Sequence, residues 1–172
     1  MSLIGWWKLN GDALDSSISA NHGTNTGVAF DPSYGLVCQG GSFAGGRTSY
    51  ITFNTINITT HHTVCLWMYG NVQTPGSATG STLFGEFNTV NNYSYAADGL
   101  RFRIQDGTGL KTWDTDTDFY HKWRYVVLLF NDSTIELFFD GVSQGTQSYD
   151  GTFILNCIAA AYTDDFDFDY NC

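Results

Sequence analysis

The stretch that decides the fold is residues 123–142, which read WRYVVLLFNDSTIELFFDGV. It contains two apolar runs, Trp123–Phe130 and Ile135–Phe139, and each has the length of a strand rather than of a typical helix. Turn-forming residues, Asn131-Asp132-Ser133, separate the two runs, and Asp140-Gly141 marks a second sharp turn directly after them. The stretch therefore predicts an antiparallel hairpin followed by a further reversal of the chain.

The same pattern recurs along the chain. Short apolar runs are punctuated by Gly, Asn and Asp, and no long stretch repeats apolar residues every three to four positions. The Asp98-Gly99 pair is a strong hairpin signal between two such runs. About ten short strands can bury their apolar faces only as stacked layers, so the sequence predicts an all-β, two-sheet antiparallel β-sandwich in one domain, residues 1–172. Besides the two runs above, the predicted strands are Ile4–Leu9, Gly35–Cys38, Tyr50–Phe53, Thr63–Tyr69, Thr82–Phe87, Tyr93–Ala97, Leu100–Gln105 and Phe153–Ala160, with a last one around Phe166–Tyr170.

Two of these strands carry expectations about solvent exposure. Tyr125–Phe130 is apolar at every position, which predicts a strand that is covered on both faces. Leu100–Ile104 alternates and presents Arg101 and Arg103 on one face, which predicts a strand with one wet face.

The composition restricts the classes of partner. The chain carries a net charge of -10 with only seven Lys and Arg residues, so its surface repels phosphate backbones and anionic membranes. No apolar run approaches the about 18 residues of a membrane-spanning helix. We therefore expect neither a nucleic acid partner nor insertion into a membrane. The acidic surface suits either cation binding or simple solubility.

Four cysteines are widely spaced, at Cys38, Cys65, Cys157 and Cys172. They form no Cys-x-x-Cys pair, which argues against a zinc site. Three of them lie in apolar, strand-like runs, so buried free thiols are the favoured interpretation. A Cys157–Cys172 disulfide is the alternative in an oxidising compartment.

Several segments resemble the laminin G-like domains of the concanavalin A-like lectin/glucanase superfamily. Residues 7–17, WKLNGDALDSS, with Asn21-His22-Gly23-Thr24, resemble the opening of these domains, although Ile18 stands where they carry Gly. Later strands follow in the expected order, and residues 123–142 give the most specific match. The later segments are Ser49–Phe53, Thr63–Met68, 123–142 and, more weakly, the closing strand at Phe166–Tyr170.

The resemblance covers nearly the whole chain and implies a concanavalin A-like jelly roll whose first and last strands lie side by side. Such domains usually continue beyond the closing strand, so a chain that ends at Cys172 is expected to be truncated at its C-terminus. The family loop near Asp15 and Asn21 often holds a structural Ca²⁺ together with an Asp near the closing strand, which Asp167 matches here. The alternative is an Asx-type turn without a metal.

A catalytic role of the β-glucanase kind would need two facing carboxylates on one strand. The chain has only two Glu residues, Glu86 and Glu136, and they lie in different predicted strands, so the paired motif is absent. We therefore interpret the protein as a non-enzyme.

A sugar site typically combines an aromatic platform with polar groups. Arg101 and Arg103 share one strand face, Tyr95 precedes the adjacent turn, and Trp113 lies in a polar stretch that is atypical of a core. We interpret these four residues as ligand-binding; alternatively, the arginines pair with nearby aspartates.

The best-supported function is a lectin-like, carbohydrate-binding recognition module that binds a glycan or glycoprotein surface. This role places it outside the cell, at a cell surface or in a virion, although no signal peptide is visible. A structural or adhesion module of a cell-surface or virion fibre is the first alternative, and a glycoside hydrolase of the same fold is the second.

Overall fold

Strands provide nearly all the regular structure of the computed structural model, which describes residues 2–44, 48–70, 81–88, 92–97, 101–115, 122–159 and 170–171. One 3-10 turn, Pro32–Tyr34, is capped by Asp31, whose side chain accepts a hydrogen bond from the Ser33 backbone N–H. In chain order the strands are β1 (Thr24–Thr26), β2 (Ala29–Asp31), β3 (Gly40–Phe43), β4 (Tyr50–Ile58), β5 (His62–Gly70), β6 (Ser81–Gly85), β7 (Asn92–Ala97), β8 (Arg101–Asp106), β9 (Leu110–Asp114), β10 (Trp123–Asn131), β11 (Thr134–Phe139), β12 (Val142–Ser148), β13 (Phe153–Ile158) and β14 (Tyr170–Asn171).

These strands form two antiparallel sheets. The first sheet has the order β1-β4-β13-β6-β7-β8-β9, and the second has the order β12-β11-β10-β5-β14-β3-β2. Neighbouring strands are antiparallel in both sheets. The predicted two-sheet β-sandwich is therefore confirmed. Within the described residues, no helix has the length and apolarity needed to cross a membrane.

The core lies where the inner faces of the two sheets meet. Phe130 of β10 lies 5.9 Å, between ring centroids, from Phe153 of β13 in the opposite sheet. Phe102 of β8 and Phe139 of β11 make a similar contact at 6.0 Å. All four rings are at most 2% exposed. Truncating such a ring to Ala costs about 3–5 kcal/mol in other proteins, so these pairs hold the sheets face to face.

The predicted turns of the 123–142 stretch are confirmed. Asn131 pairs with Thr134, which closes the β10–β11 hairpin. Asp140 and Gly141 have φ values of 50° and 83°, and this pair of left-handed residues joins β11 to β12 in a tight reversal. Strands β7 and β8 also pair as predicted, while the Asp98-Gly99 turn lies outside the described residues.

The predicted strand Ile4–Leu9 is wrong. Trp7 makes only an isolated bridge with Asp15, and the backbone N–H of Trp6 donates to the Asp15 side chain instead of to a neighbouring strand. Leu9 has a φ of 54°, which interrupts extended geometry.

Two further expectations concern the ends of the sheets, and the first of them is wrong. Gly35–Cys38 forms no strand. It follows the 3-10 turn directly, its Val37 is 89% exposed, and the next strand of the sheet begins only at β3. The last described strand, β14, lies between β5 and β3, whereas β1 pairs with β4 in the other sheet. The predicted closing strand, Phe166–Tyr170, lies outside the described residues except for Tyr170, so its position beside the opening segment stays a prediction.

Candidate functional site

The outer face of strand β10 is apolar and open to solvent. Its inward residues, including Val126 and Leu128, are fully buried, whereas Leu129 is 38% exposed and Tyr125 is only half-buried. The prediction that this strand is covered on both faces is therefore wrong for the outer face. Apolar side chains on a solvent-facing sheet surface contribute little to the core, and such patches often mark binding surfaces.

Four aromatic side chains, Trp67, Tyr69, Trp123 and Tyr125, form an aromatic face on the outside of the second sheet. The antiparallel register of β5 and β10 sets Trp67 opposite Tyr125 and Tyr69 opposite Trp123. Their ring centroids are 5.0 Å and 5.7 Å apart, respectively. Trp67 remains 45% exposed. The rings therefore stabilise one another across the strands while presenting surface to solvent.

Apolar surface continues along the strands beside this aromatic face. Cys65 of β5 is opposite Val127 of β10, and Val127 is in turn opposite Phe138 of β11. The pKa of Tyr125 is raised, first by the hydrogen bond that its hydroxyl donates to the Cys65 thiol and then by burial. Tyr125 thus stays protonated over the physiological pH range.

A charged pair borders the aromatic face at its turn end. The Arg124 guanidinium donates a hydrogen bond to the Asp140 carboxylate, which also accepts the Tyr125 backbone N–H at 2.9 Å. Although partial burial raises it, the pKa of Asp140 is lowered overall by the Tyr125 N–H and by Arg124. The pair fixes the start of β10, and Lys122 adds a further positive charge near Asp140.

The predicted arginine face lies on the other sheet. Arg101 and Arg103 of β8 point away from the core, since the intervening Phe102 is fully buried. Tyr95 is opposite Arg103 in the β7–β8 register, and its side chain lies outside the described part. Arg101 forms an ion pair with Asp114 across 3.6 Å, as the alternative interpretation anticipates. The alternation predicted for this strand is confirmed, whereas a ligand-binding role for this face stays a prediction.

Trp113 does not belong to that face. It is 2% exposed, its ring packs edge-on against Phe102 at 6.2 Å, and its indole N–H donates to the backbone oxygen of Gly145 at 2.9 Å. The prediction that Trp113 is a solvent-facing platform is therefore wrong, because alternation along β9 turns it into the sandwich. Trp6 and Trp67 are instead the exposed Trp residues, at 51% and 45%. The sequence signal for Trp67 is the pair of aromatic residues at alternate positions of β5 and again of β10.

Asp15 organises the turn over residues 15–21, called here the Asp15 turn. One carboxylate oxygen accepts the backbone N–H groups of Trp6 and Ser17 at 2.7 and 2.8 Å. The other accepts the Ser17 hydroxyl at 2.7 Å and the Asn21 N–H at 2.9 Å. Burial raises the pKa of Asp15, but these four donors outweigh it and lower the pKa to about 2.

The predicted calcium ligands are only partly within the described residues. The Asn21 side-chain oxygen accepts the Asn54 backbone N–H at 2.8 Å, and Asp167 lies outside the described residues. The side-chain oxygens of Asp15 and Asn21 therefore accept hydrogen bonds from donors of the chain, as in an Asx-type turn. Elsewhere in the described residues, no group of three or more His, Cys, Asp or Glu side chains could hold a metal ion. The calcium site stays a prediction.

The two glutamates do not form a facing pair. Glu86 follows β6 of the first sheet, whereas Glu136 lies on the outer side of β11 in the second sheet and accepts a hydrogen bond from the Ser143 hydroxyl at 2.6 Å. Retaining glycosidases need two carboxyl groups about 5 Å apart on either side of one sugar. The two Glu side chains cannot supply that geometry.

Among the three cysteines that the structure describes, only Cys157 is buried, so the prediction of buried free thiols is confirmed there and is wrong for Cys38 and Cys65. Burial raises the pKa of Cys157 to about 12. Cys65 is exposed because it occupies an outward position of β5. Cys172, the proposed disulfide partner of Cys157, lies outside the described residues.

A comparison with family profiles connects this architecture to known proteins. The profile of a laminin G-like family, described as the concanavalin A-like lectin/glucanases superfamily, matches residues 44–166. The chain belongs to this superfamily. The match includes β4 to β13 and thus every residue of the aromatic face. No curated protein matches the chain.

Solved structures share the concanavalin A-like fold at low sequence identity. Domain 4 of an extracellular arabinanase from Geobacillus stearothermophilus, solved with arabinotriose, matches with a TM-score of 0.67 and 16% identity over 99% of this chain and 89% of that one. A botulinum neurotoxin type C structure, whose description names two ganglioside molecules, matches at 0.62 and 13% over 92% of this chain and 44% of that one. Trypanosoma rangeli sialidase matches with a TM-score of 0.58 and 12% identity over 96% of this chain and 28% of the sialidase chain.

Proposed function

We propose that the protein is a non-catalytic carbohydrate-binding module whose aromatic face contacts the sugar. The observation that carries this proposal is the set of four aromatic side chains that two neighbouring strands hold in register, partly exposed, on the outside of the sandwich. A sheet of this kind needs apolar residues only on its inner face. Their presence on the outer face therefore indicates a surface that binds a partner.

Carbohydrates suit such a surface for a chemical reason. One face of a pyranose or furanose ring presents mainly C–H groups, whose positive partial charge matches the negative face of an aromatic ring. The Trp67 and Trp123 indoles provide the widest ring faces, and their N–H groups can donate to sugar hydroxyls. A combination of apolar contact and a few polar groups at the edge is typical of small-molecule sites.

The structural neighbours support this choice of ligand class. Two of them, the arabinanase domain and the neurotoxin, carry names of carbohydrates or glycolipids in their descriptions. The role requires access to external glycans, so it favours a location outside the cell or at its surface.

The alternative of a structural or adhesion module makes a different use of the same surface. The aromatic face would then be covered by another copy of the chain, and replacing Trp67 would change the oligomeric state rather than sugar retention. A glycoside hydrolase would instead require carboxylates other than Glu86 and Glu136 to act as a pair.

The test is retention of the purified chain on a panel of immobilised neutral and acidic polysaccharides, with wild type, Trp67→Ala and Arg101→Ala compared. Trp67 is half-exposed at the surface, so its removal should leave the fold intact, and far-ultraviolet circular dichroism checks this. We expect Trp67→Ala to lose retention and Arg101→Ala to keep it. Retention by neither wild type nor variants would refute the proposal. Loss only in Arg101→Ala would move the site to the arginine face.

A further inference from the structure

The aromatic face is arranged in rows. Tyr69 and Trp123 form one row across the strands, and Trp67 and Tyr125 form the next. The rows are two residues apart, which corresponds to about 6.8 Å along an antiparallel strand. This spacing is comparable to the length of one sugar residue in a chain, so successive rows can contact successive sugars.

Several polar side chains around these rows already have partners within the described residues. The Arg124 guanidinium bonds to Asp140, and the Tyr125 hydroxyl bonds to the Cys65 thiol. Glu136, further along the same face, accepts the Ser143 hydroxyl. Recognition of a single terminal sugar depends on several directed polar contacts within a concave site. Here ring contact is the main interaction on offer, and its contribution grows with the number of rings that the ligand covers.

Charge further restricts the ligand. The chain carries a net charge of -10 and Glu136 adds negative charge to the face, whereas the Asp140 carboxylate lies close to the positive charges of both Arg124 and Lys122. The protein as a whole therefore carries the same sign of charge as a uronic acid or a sialic acid.

We infer that the aromatic face binds the internal residues of an uncharged, linear oligosaccharide that lies along β5 and β10. This inference rests on the proposed carbohydrate-binding function and names the ligand class for that same site. It distinguishes recognition along a chain from recognition of a chain end.

Titration calorimetry with arabino-, xylo- and cello-oligosaccharides of one to six residues tests the inference, with oligogalacturonides of the same lengths as the acidic series. We expect the best neutral series to gain about tenfold in affinity from one to three residues, because the second row adds a ring contact, and a nucleobase that stacks on an aromatic side chain contributes roughly a factor of ten or more. Longer chains should gain little more, and the acidic series should bind at least tenfold more weakly than the neutral one.

Tyr69→Ala removes one ring from the row that Tyr69 forms with Trp123. It should lower the affinity for the trisaccharide about tenfold and change the affinity for the monosaccharide less than twofold. Arg101→Ala, on the opposite sheet, is the matched control and should change neither. Equal affinity for one and three residues would overturn the inference but leave the binding function standing. Preferential binding of oligogalacturonides would overturn the inference that the ligand is uncharged. Absence of binding to every polysaccharide in the panel would overturn the function itself, and the inference with it.

Discussion

Replacing Asp15 by Asn removes the charge that organises the Asp15 turn. The carboxylate accepts four hydrogen bonds at 2.7–2.9 Å, two on each oxygen, and is 4% exposed. In the Asp15→Asn variant, one oxygen becomes an NH₂ group, which faces the Ser17 hydroxyl and the Asn21 N–H, or the other two donors, and cannot accept from them. At least one backbone N–H therefore loses its acceptor, that of Asn21 or those of Trp6 and Ser17, whereas the Ser17 hydroxyl can turn, accept from the NH₂ group and donate to the Ile4 carbonyl.

The cost can be estimated from these contacts. A hydrogen bond to a charged group contributes about 1.5–3 kcal/mol, so the loss of one, together with the weakening of the others when the charge is removed, gives about 3 kcal/mol. A domain of this size melts about 2–4 °C lower per kcal/mol, which predicts a Tm about 6–12 °C below that of wild type. Asp12→Asn is the matched control, since Asp12 is exposed in the same region and its Oδ1 accepts one backbone N–H, from Leu14, which Asn can still accept.

The pH dependence gives a second, independent readout. The folded pKa of about 2 lies below the ordinary value of 3.8, so the stabilisation by Asp15 is present above pH 3.8 and is lost as the pH falls through 2. At about 1.4 kcal/mol per pKa unit the effect is at most about 2 kcal/mol, and water near this surface turn screens part of it. The stability difference between wild type and Asp15→Asn, from urea unfolding, should therefore shrink by about 1 kcal/mol between pH 7 and pH 3. A difference that is constant with pH would refute the assignment of the charge to the turn.

Three other outcomes follow from the structure. Because the oxygens of Asp15 are already engaged, we expect millimolar Ca²⁺ to leave the Tm of chelator-treated protein unchanged; a rise of several degrees that Asp15→Asn abolishes would establish a calcium site. Trp113→Phe should lower the free energy of unfolding by about 1–3 kcal/mol, because the hydrogen bond to the Gly145 oxygen is lost and the smaller ring fills less of the core, and chemical denaturation that finds no change would contradict this. In native protein a thiol reagent should label Cys65 and spare Cys157, whose pKa burial raises to about 12, until denaturant is added; mass spectrometry of the peptides measures both.

The central hairpin could be predicted from sequence because every local signal agrees there. Strands β10 and β11 have apolar residues of strand length, and the turns at their ends contain Asn, Asp and Gly. The same signals are weak in β12, whose seven residues are Val followed only by Ser, Gln, Gly and Thr. Such an edge strand is held by hydrogen bonds to its neighbour and buries little, so its composition does not distinguish it from a loop.

The candidate site is harder to predict because the sequence does not state which face of a strand is inside. An all-apolar run such as Tyr125–Phe130 fits a strand covered on both faces, yet only tertiary packing decides whether anything covers the second face. The prediction for Trp113 is wrong for a related reason. The polar sequence of β9 does not indicate a strand, so the alternation of side chains along a strand cannot be used to assign the face on which Trp113 lies. The useful signal is the repetition of aromatic residues at alternate positions, Trp67 with Tyr69 and Trp123 with Tyr125, in strands that are neighbours.

The hydrogen bond from the Trp113 indole also has a consequence for self-association. Strands β9 and β12 are the terminal strands of the two sheets, and each offers backbone carbonyl groups that another chain could use to extend the sheet. The Trp113 indole N–H of β9 donates a hydrogen bond to the Gly145 carbonyl of β12, and the Gln147 side-chain amide of β12 donates one to the Thr112 carbonyl of β9 at 2.8 Å. A side chain of each of these two edge strands thus occupies a backbone carbonyl of the other. We expect this edge of the sandwich to resist the edge-to-edge pairing of strands that leads to amyloid-like aggregates.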